Sequence, residues 1–362
     1  MTTDHGRGAA RVAGILRDDV REMEAYPVTP ADGMVKLDAM ENPYRLPEAL
    51  RERVARAAAS AAINRYPDPR APGLHLKLRE VMSIPESSGL LLGNGSDEII
   101  SMVTQAVARP GTAVLAIEPS FVMYKTSARL AQVRYAGVPL RPDFALDGAA
   151  VLAAIAEHQP AVVWIAYPNN PTGNLFADTE IELIIRAAPG LVVIDEAYHI
   201  FAGRSLLPRL PEYPNLMVLR TMSKVGLAGM RLGYAAAAPE WIREFDKVRP
   251  PYNVNVLTQV AAEMLLEHMD VFEDQARRIC ADRAELLDRL AELPGVTPFP
   301  SDANFVLARV PDAPRTMRGL LERKVLVRNL HGAHPLLENC LRFTVGSPAE
   351  NQLLLAALGE AI

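Results

Sequence analysis

Long apolar runs are missing from this chain of 362 residues. No stretch approaches the ~20 residues that a membrane helix needs, and the N-terminal MTTDHGRGAARVAGILRDDVREMEAYP lacks the unbroken apolar core of a signal peptide. Cysteine is nearly absent: Cys280 and Cys340 stand far apart without a C-x-x-C pair, which excludes a disulfide framework or a zinc knuckle. Neither sign of charge dominates. A formal charge of −5 provides no general attraction to nucleic acid or anionic membrane, so the chain reads as a soluble cytoplasmic protein with neither as a partner. Lysine is scarce, at Lys36, Lys77, Lys125, Lys224, Lys247 and Lys324 alone, so a lysine with chemistry to perform has few candidates.

What is present is globular. Apolar residues make up 49% and charged residues 22% of the chain, against a fibrous or disordered protein, and the length exceeds the usual reach of one core. Apolar strand-like runs alternate with helical segments through the middle of the sequence. AVVWIAY and LVVID are continuous, as in strands covered on both faces of a mostly parallel sheet. From 256 to 293 there is no proline or glycine, and apolar residues recur at helical spacing. One helix of that length would reach ~55 Å. Short strands and helices follow Pro294-Gly295. The expected fold is α/β: an N-terminal arm (1–47) packed on a neighbouring surface, a large domain with helices flanking a mostly parallel sheet (48–255), a long inter-domain helix (256–293) and a small α+β domain (294–362).

Open α/β sheets bind ligands beyond the carboxyl ends of their strands, so those ends carry the chemistry. The first is followed by Gly93-Asn94-Gly95-Ser96-Asp97-Glu98, a turn into a helix whose free N–H groups can hold an anion. It lacks the third glycine of a dinucleotide fingerprint. The next carries Glu118-Pro119-Ser120-Phe121, where Phe121 can stack on a planar ligand or fill the core. Then comes Tyr167-Pro168-Asn169-Asn170-Pro171, two amides between prolines. Asp195 ends LVVID, and a carboxylate emerging from a buried strand needs a cation or hydrogen-bond donors; a metal, a helix cap or a cofactor cation would each serve. No H-x-H or D-x-D pattern favours a metal, and His331 and His334 share one loop near which a ligand could pass. Lys224 follows the strand-like LMVLRT among small and apolar neighbours, where an amine either reaches solvent or has a depressed pKa suited to covalent work. Thr221, Ser223 and Arg231, with the helix start at Ser96-Asp97, could form a phosphate cup. An amine for an aldehyde, a carboxylate for a ring cation, a ring face and a phosphate cup suggest one ligand, pyridoxal phosphate.

The motifs NRYPDP, GNGSDE, YPNNPTG, VIDEAY, TMSK…GMRLGY and CLRFTVGS together resemble the fold-type I pyridoxal-phosphate aminotransferases, and within them the histidinol-phosphate aminotransferases, from about residue 26 onward. That resemblance implies Lys224 bound covalently to the cofactor aldehyde and Asp195 paired with its ring nitrogen. Asn170 and Tyr198 would contact the ring hydroxyl, Phe121 would stack on the ring, and Ser96, Asp97, Thr221, Ser223 and Arg231 would surround the phosphate. It further implies a homodimer, with Tyr66 reaching the phosphate in the partner subunit, and substrate contacts from Arg342, Arg328, Tyr26 and Asn42. The reaction implied is transamination of L-histidinol phosphate with 2-oxoglutarate. An aromatic-amino-acid aminotransferase or a phospho-amino-acid decarboxylase would share the cofactor residues. Three departures from the family pattern stand out: Met40 replaces the first asparagine of N-E-N-P, the segment from Lys224 to Arg231 is one residue shorter than in many members, and Phe121 stands where tyrosine is frequent.

Overall fold

The computed structural model describes residues 11–25 and 29–362. Strands are numbered along the chain: β1 (Val35–Leu37), β2 (Gly89–Asn94), β3 (Ala113–Glu118), β4 (Arg134–Pro139), β5 (Val162–Ala166), β6 (Leu191–Asp195), β7 (Leu216–Thr221), β8 (Leu232–Ala237), β9 (Thr297–Pro298), β10 (Phe305–Arg309), β11 (Val325–Asn329) and β12 (Cys340–Thr344). Seven of them form one sheet in the order β2-β8-β7-β6-β5-β3-β4. Within it only β8 runs against its neighbours. The carboxyl ends of β2, β3, β5, β6 and β7 therefore open on a single edge, and β8 starts there.

The continuous apolar runs account for this sheet. In β6, Val192 and Ile194 enter one core cluster while Leu191 and Val193 enter another, as the two-residue strand period requires of a sheet covered on both faces. Helices Ser96–Ala106, Val122–Leu130 and Asp178–Ala187 supply buried apolar residues to those layers. Asp147 caps helix Gly148–His158 by accepting from the Ala150 amide at 3.1 Å.

A second sheet, in the order β1-β11-β12-β10-β9, carries helices Ala313–Glu322 and Pro348–Ala361, the latter opened by a Ser347–Glu350 capping box. Its first strand comes from the N-terminal arm: β1 pairs in parallel with β11, Val35 opposite Val325. The arm is thus hydrogen-bonded into the C-terminal sheet.

The stretch 256–293 is two helices rather than one long one, Val256–Leu266 and Met269–Ala291. The interruption at Glu267 and His268 meets Arg53, whose guanidinium contacts the His268 ring and lies 3.6 Å from Glu267. The two segments serve different cores. Ala262, Leu265 and Leu266 pack with the large sheet, whereas Ile279, Leu286 and Leu290 pack with the small one.

One buried ion pair binds the middle of the large sheet. Arg220 on β7 donates to Glu196 Oε2 from Nε at 3.0 Å and from Nη2 at 2.8 Å, and reaches Ser205 and Tyr234 as well. Glu196 also accepts from the Leu206 amide at 2.6 Å, and its side chain is wholly buried. Removing one partner of such a pair leaves an uncompensated charge in a dry interior, at about 3–5 kcal/mol. Arg220→Met is accordingly expected to lose about that much stability, read as an earlier thermal unfolding transition than Glu196→Gln/Arg220→Met, which strands no charge.

Candidate active site

The shared strand edge encloses a cavity of about 270 Å³. Ten residues expected from the sequence line it: Ser96, Asp97, Phe121, Asn170, Asp195, Tyr198, Thr221, Ser223, Lys224 and Arg231. They arrive from widely separated segments because each follows, or ends, a strand opening on that edge; Arg231 immediately precedes β8.

At one end the groups converge on an anion-sized cup. Helix Ser96–Ala106 begins there with no side-chain cap, leaving its first amides to face the cavity. Gly95 has φ +84°, and a Cβ on it would lie 2.6 Å from Arg231 Nη2; glycine is what lets the turn and the guanidinium approach. Thr221 Oγ1 donates to Ser223 Oγ at 3.0 Å, and Arg231 Nη1 reaches the same oxygen at 3.4 Å. The short segment from Lys224 still returns Arg231 to this place. A wide turn over Ser223–Leu227, with Gly226 at φ 131°, and a tighter one over Ala228–Met230 lead to Arg231 at φ 49°. Burial raises the Asp97 carboxyl, while Arg231 and Lys224 pull it back down.

Away from the cup, Asp195 is 4% exposed and, among the described residues, takes part in no ion pair within 4.0 Å. Its oxygens accept from the Tyr124 hydroxyl at 2.7 Å and the Ala197 amide at 3.1 Å. Burial pushes it up to about 7, with Tyr124 and Ala197 opposing. Lys224 is buried too: desolvation, and then the charge of Arg342, bring it down to about 8. Its Nζ donates to the Ala39 carbonyl of the arm at 2.9 Å. A carboxylate lacking a cation and an amine close to neutrality are what a protonated pyridine and an aldehyde would complete, and the cup suits a phosphate; the residues present fit pyridoxal phosphate.

Tyr124 was not expected from the sequence. It is fully buried, stacked on Trp164 with centroids 5.1 Å apart, and meets Phe121 edge-on at 5.7 Å. The available signal was its spacing, three residues past Phe121 and so on the same side of helix Val122–Leu130.

The remaining expected residues lie elsewhere. Arg328 and Arg342 line an adjoining cavity of about 660 Å³ that shares Met40, Phe121 and Asn170 with the first. Arg342 donates to Asn170 Oδ1 at 2.6 Å and to the Asp38 carbonyl at 2.9 Å. Asn42 lines neither cavity. Its amide holds the Val225 carbonyl and Gln275, and its Oδ1 accepts from the Tyr44 amide, so it braces the turn that carries Lys224 rather than facing substrate. Tyr66 is also outside both cavities, 81% exposed and stacked on Tyr252 at 4.5 Å. Tyr26 lies outside the described residues. No group of three or more metal-ligating side chains occurs among the described residues, and no helix there is long and apolar enough to cross a membrane.

The two displaced pKa values set opposite pH dependences on the cofactor-free protein. Between the ordinary carboxylate range and about 7, folded Asp195 holds a proton that the unfolded chain has released, so stability falls as pH rises through that window. Above about 8, folded Lys224 has released a proton that the unfolded chain retains, so stability recovers towards the ordinary lysine value. Thermal melts of cofactor-free Asp195→Asn should therefore exceed wild type at pH 7–8, near the raised value of Asp195, and lose that advantage near the unperturbed carboxylate range at about pH 4.

Comparison with known proteins agrees with this geometry. The sequence matches the family described as aminotransferase class I and II over residues 32–358. It is 56% identical over 353 residues to histidinol-phosphate aminotransferase 1 of Ralstonia nicotianae, covering 96% of this chain and 94% of that protein. It is likewise 56% identical to histidinol-phosphate aminotransferase of Chromobacterium violaceum, covering 96% and 98%. Among solved structures, histidinol-phosphate aminotransferase of Sinorhizobium meliloti in complex with pyridoxal-5'-phosphate superposes with a TM-score of 0.85 at 25% identity, covering 96% of this chain and 97% of that one. Strand-end chemistry, a match over most of the sequence and relatives more than half identical lead to one conclusion: the chain belongs to the class I and II aminotransferases.

Proposed function

We propose that the protein binds pyridoxal 5'-phosphate and transfers the amino group of L-histidinol phosphate to 2-oxoglutarate, giving imidazole acetol phosphate and L-glutamate, as a step of histidine biosynthesis in the cytoplasm. The observation that carries this reading is the pairing of relatives 56% identical and named for that activity with a cavity that joins a buried amine, a buried carboxylate and an anion cup.

When bound, the cofactor supplies an electron sink that lets the proton on the substrate's Cα leave. This chain's residues would do the rest. Ser96, Thr221, Ser223 and Arg231 would hold the phosphate, and Phe121 would cover one ring face. Asp195, kept anionic by the ring's positive charge and by the Tyr124 hydroxyl, would keep the ring nitrogen protonated, since an opposite charge at close range raises such a pKa by ~1–3 units. Lys224, brought down to about 8, would be close enough to neutrality to accept the Cα proton and deliver it to the cofactor carbon that was the aldehyde. Arg342 and Arg328 carry planar forks suited first to a phosphate and then to a carboxylate, as one site taking two anionic substrates in turn requires.

A homodimer belongs to the same reading. Tyr66 and Tyr252 form a stacked, exposed pair, and Ile63 and Leu76 are 74% and 69% exposed. Such apolar surface fits a subunit contact from which Tyr66 would approach the partner's cofactor phosphate.

Lys224→Ala is expected to abolish both turnover and the absorbance of the lysine-bound cofactor while the fold is kept. Retention of either contradicts the assignment. Tyr124→Phe should keep the cofactor but lower kcat about tenfold, the equivalent of one hydrogen bond to a charged group, and shift the pH titration of the bound cofactor's spectrum. An unchanged titration counts against the role of Tyr124. Amino-donor profiling with 2-oxoglutarate as acceptor tests the substrate: L-histidinol phosphate should exceed phenylalanine, and carbon dioxide release would instead indicate a decarboxylase.

A further inference from the structure

The larger of the two cavities has two charged ends, and the reading above uses only one. Among the described residues, its charged and titratable lining consists of Glu24, Glu118, Lys125, Arg328, His334 and Arg342, together with Tyr135. Arg328 and Arg342 stand directly opposite each other across β11 and β12, so both leave the same face of that sheet and make one anion-binding wall.

Glu118 lies on a different wall, as the last residue of β3. Its position is fixed. The Glu118 carbonyl accepts from the Leu140 amide at 2.7 Å, and the carboxylate lies over Gly137, where a Cβ would approach Oε2 to 2.5 Å. The absence of a side chain at Gly137 makes the space this carboxylate occupies. Tyr135 hydrogen-bonds to it, and burial together with that charge holds the phenol well above its ordinary range. Lys125 sits 3.7 Å away but is 65% exposed, against 26% for Glu118, a solvent-screened pair of small strength. The remaining neighbour, His334, is occupied locally. Its Nδ1 accepts from the Leu336 amide at 3.2 Å, and burial lowers its pKa so that the ring stays neutral.

The cavity therefore offers guanidinium donors on one wall and a mostly shielded carboxylate acceptor on another, with the cofactor cavity joined to it through Phe121 and Asn170. We propose that Glu118 is the residue that selects an imidazole-bearing amine: its carboxylate accepts the ring N–H while Arg328 and Arg342 hold the substrate's phosphate. This rests on the transamination reading and deepens it. A phenyl ring in the same place would take water from Glu118 without adding a donor to those that Tyr135 and Lys125 already supply, and an acceptor that loses a hydrogen bond without a replacement is one means of rejection available to a binding site. The same acceptor separates an imidazole substrate from aromatic amino acids that share every cofactor contact.

The test compares two donors on the holoenzyme, L-histidinol phosphate and L-phenylalaninol phosphate, in wild type, Glu118→Ala and Glu118→Gln. Removing the acceptor in Glu118→Ala should lower kcat/KM for L-histidinol phosphate about tenfold, chiefly through KM, and leave L-phenylalaninol phosphate unchanged or improved. Glu118→Gln, which keeps the shape and loses the charge, should shift the same ratio in the same direction by a smaller factor, and carries the test if the alanine variant does not fold. Parallel losses on both donors, or no change in their ratio, overturn the role of Glu118 while leaving the transamination reading intact. A wild-type enzyme inactive on L-histidinol phosphate overturns that reading and this one together.

Discussion

A carboxylate and an amine share one cavity, and burial works against the charged form of each. Asp195 ends a fully buried strand, where a phenol and one amide donate to it. Lys224 has lost its water and faces the field of Arg342. Neither arrangement stabilises the fold. Both would become favourable on the proposed binding of a planar cation with an aldehyde and a phosphate, whose ring charge would answer the carboxylate and whose aldehyde would consume the amine. Function here is stored as unfavourable electrostatics, and the surrounding structure exists to keep it from relaxing.

That restraint is visible on three sides. Behind the cavity, Arg220 and Glu196 lock β6 to β7 one residue away from Asp195 and Thr221. Beneath Lys224, Asn42 holds the Val225 carbonyl and so the turn. Above it, the arm is anchored by the pairing of β1 with β11 and by Met40, whose amide donates to Thr344 Oγ1 and whose carbonyl accepts from Asn304. The arm carbonyl that meets Lys224 and the one that meets Arg342 are neighbours, Ala39 and Asp38. Arg342, proposed to meet substrate, and Lys224, proposed to meet the cofactor, are thereby tied to the same few residues of backbone.

Much of this was legible in the sequence, for reasons of period and scarcity. Strands covered on both faces must be apolar throughout, so AVVWIAY and LVVID stand out, and a lone Asp195 at the end of such a run calls for a cation, a cap or hydrogen-bond donors. With six lysines in the chain, Lys224 among small residues was conspicuous. The parts that were hidden depend on distant partners. A three-residue strand such as β1, paired with a strand nearly three hundred positions later, leaves no local pattern. The break at Glu267–His268 contains neither proline nor glycine and is met by Arg53, which belongs to another helix. Asn42 reads as a ligand-facing amide in its motif, and only its partners Val225 and Gln275 reveal a bracing role. Tyr124 carries a signal too common, an aromatic on a buried helical face, to be singled out from core packing.

The chemistry proposed for this cavity depends on which amine meets the cofactor. Lys36 provides the natural control, since it too lies near the cavity, in an ion pair with Asp38 beside the arm residues that roof the site. Borohydride reduction of the enzyme after incubation with pyridoxal phosphate makes the amine–cofactor bond permanent, and peptide mapping by mass spectrometry then locates it. The prediction is stoichiometric label on the peptide containing Lys224 and on no other lysine at limiting cofactor; label on Lys36, or spread evenly over the exposed lysines, would contradict it.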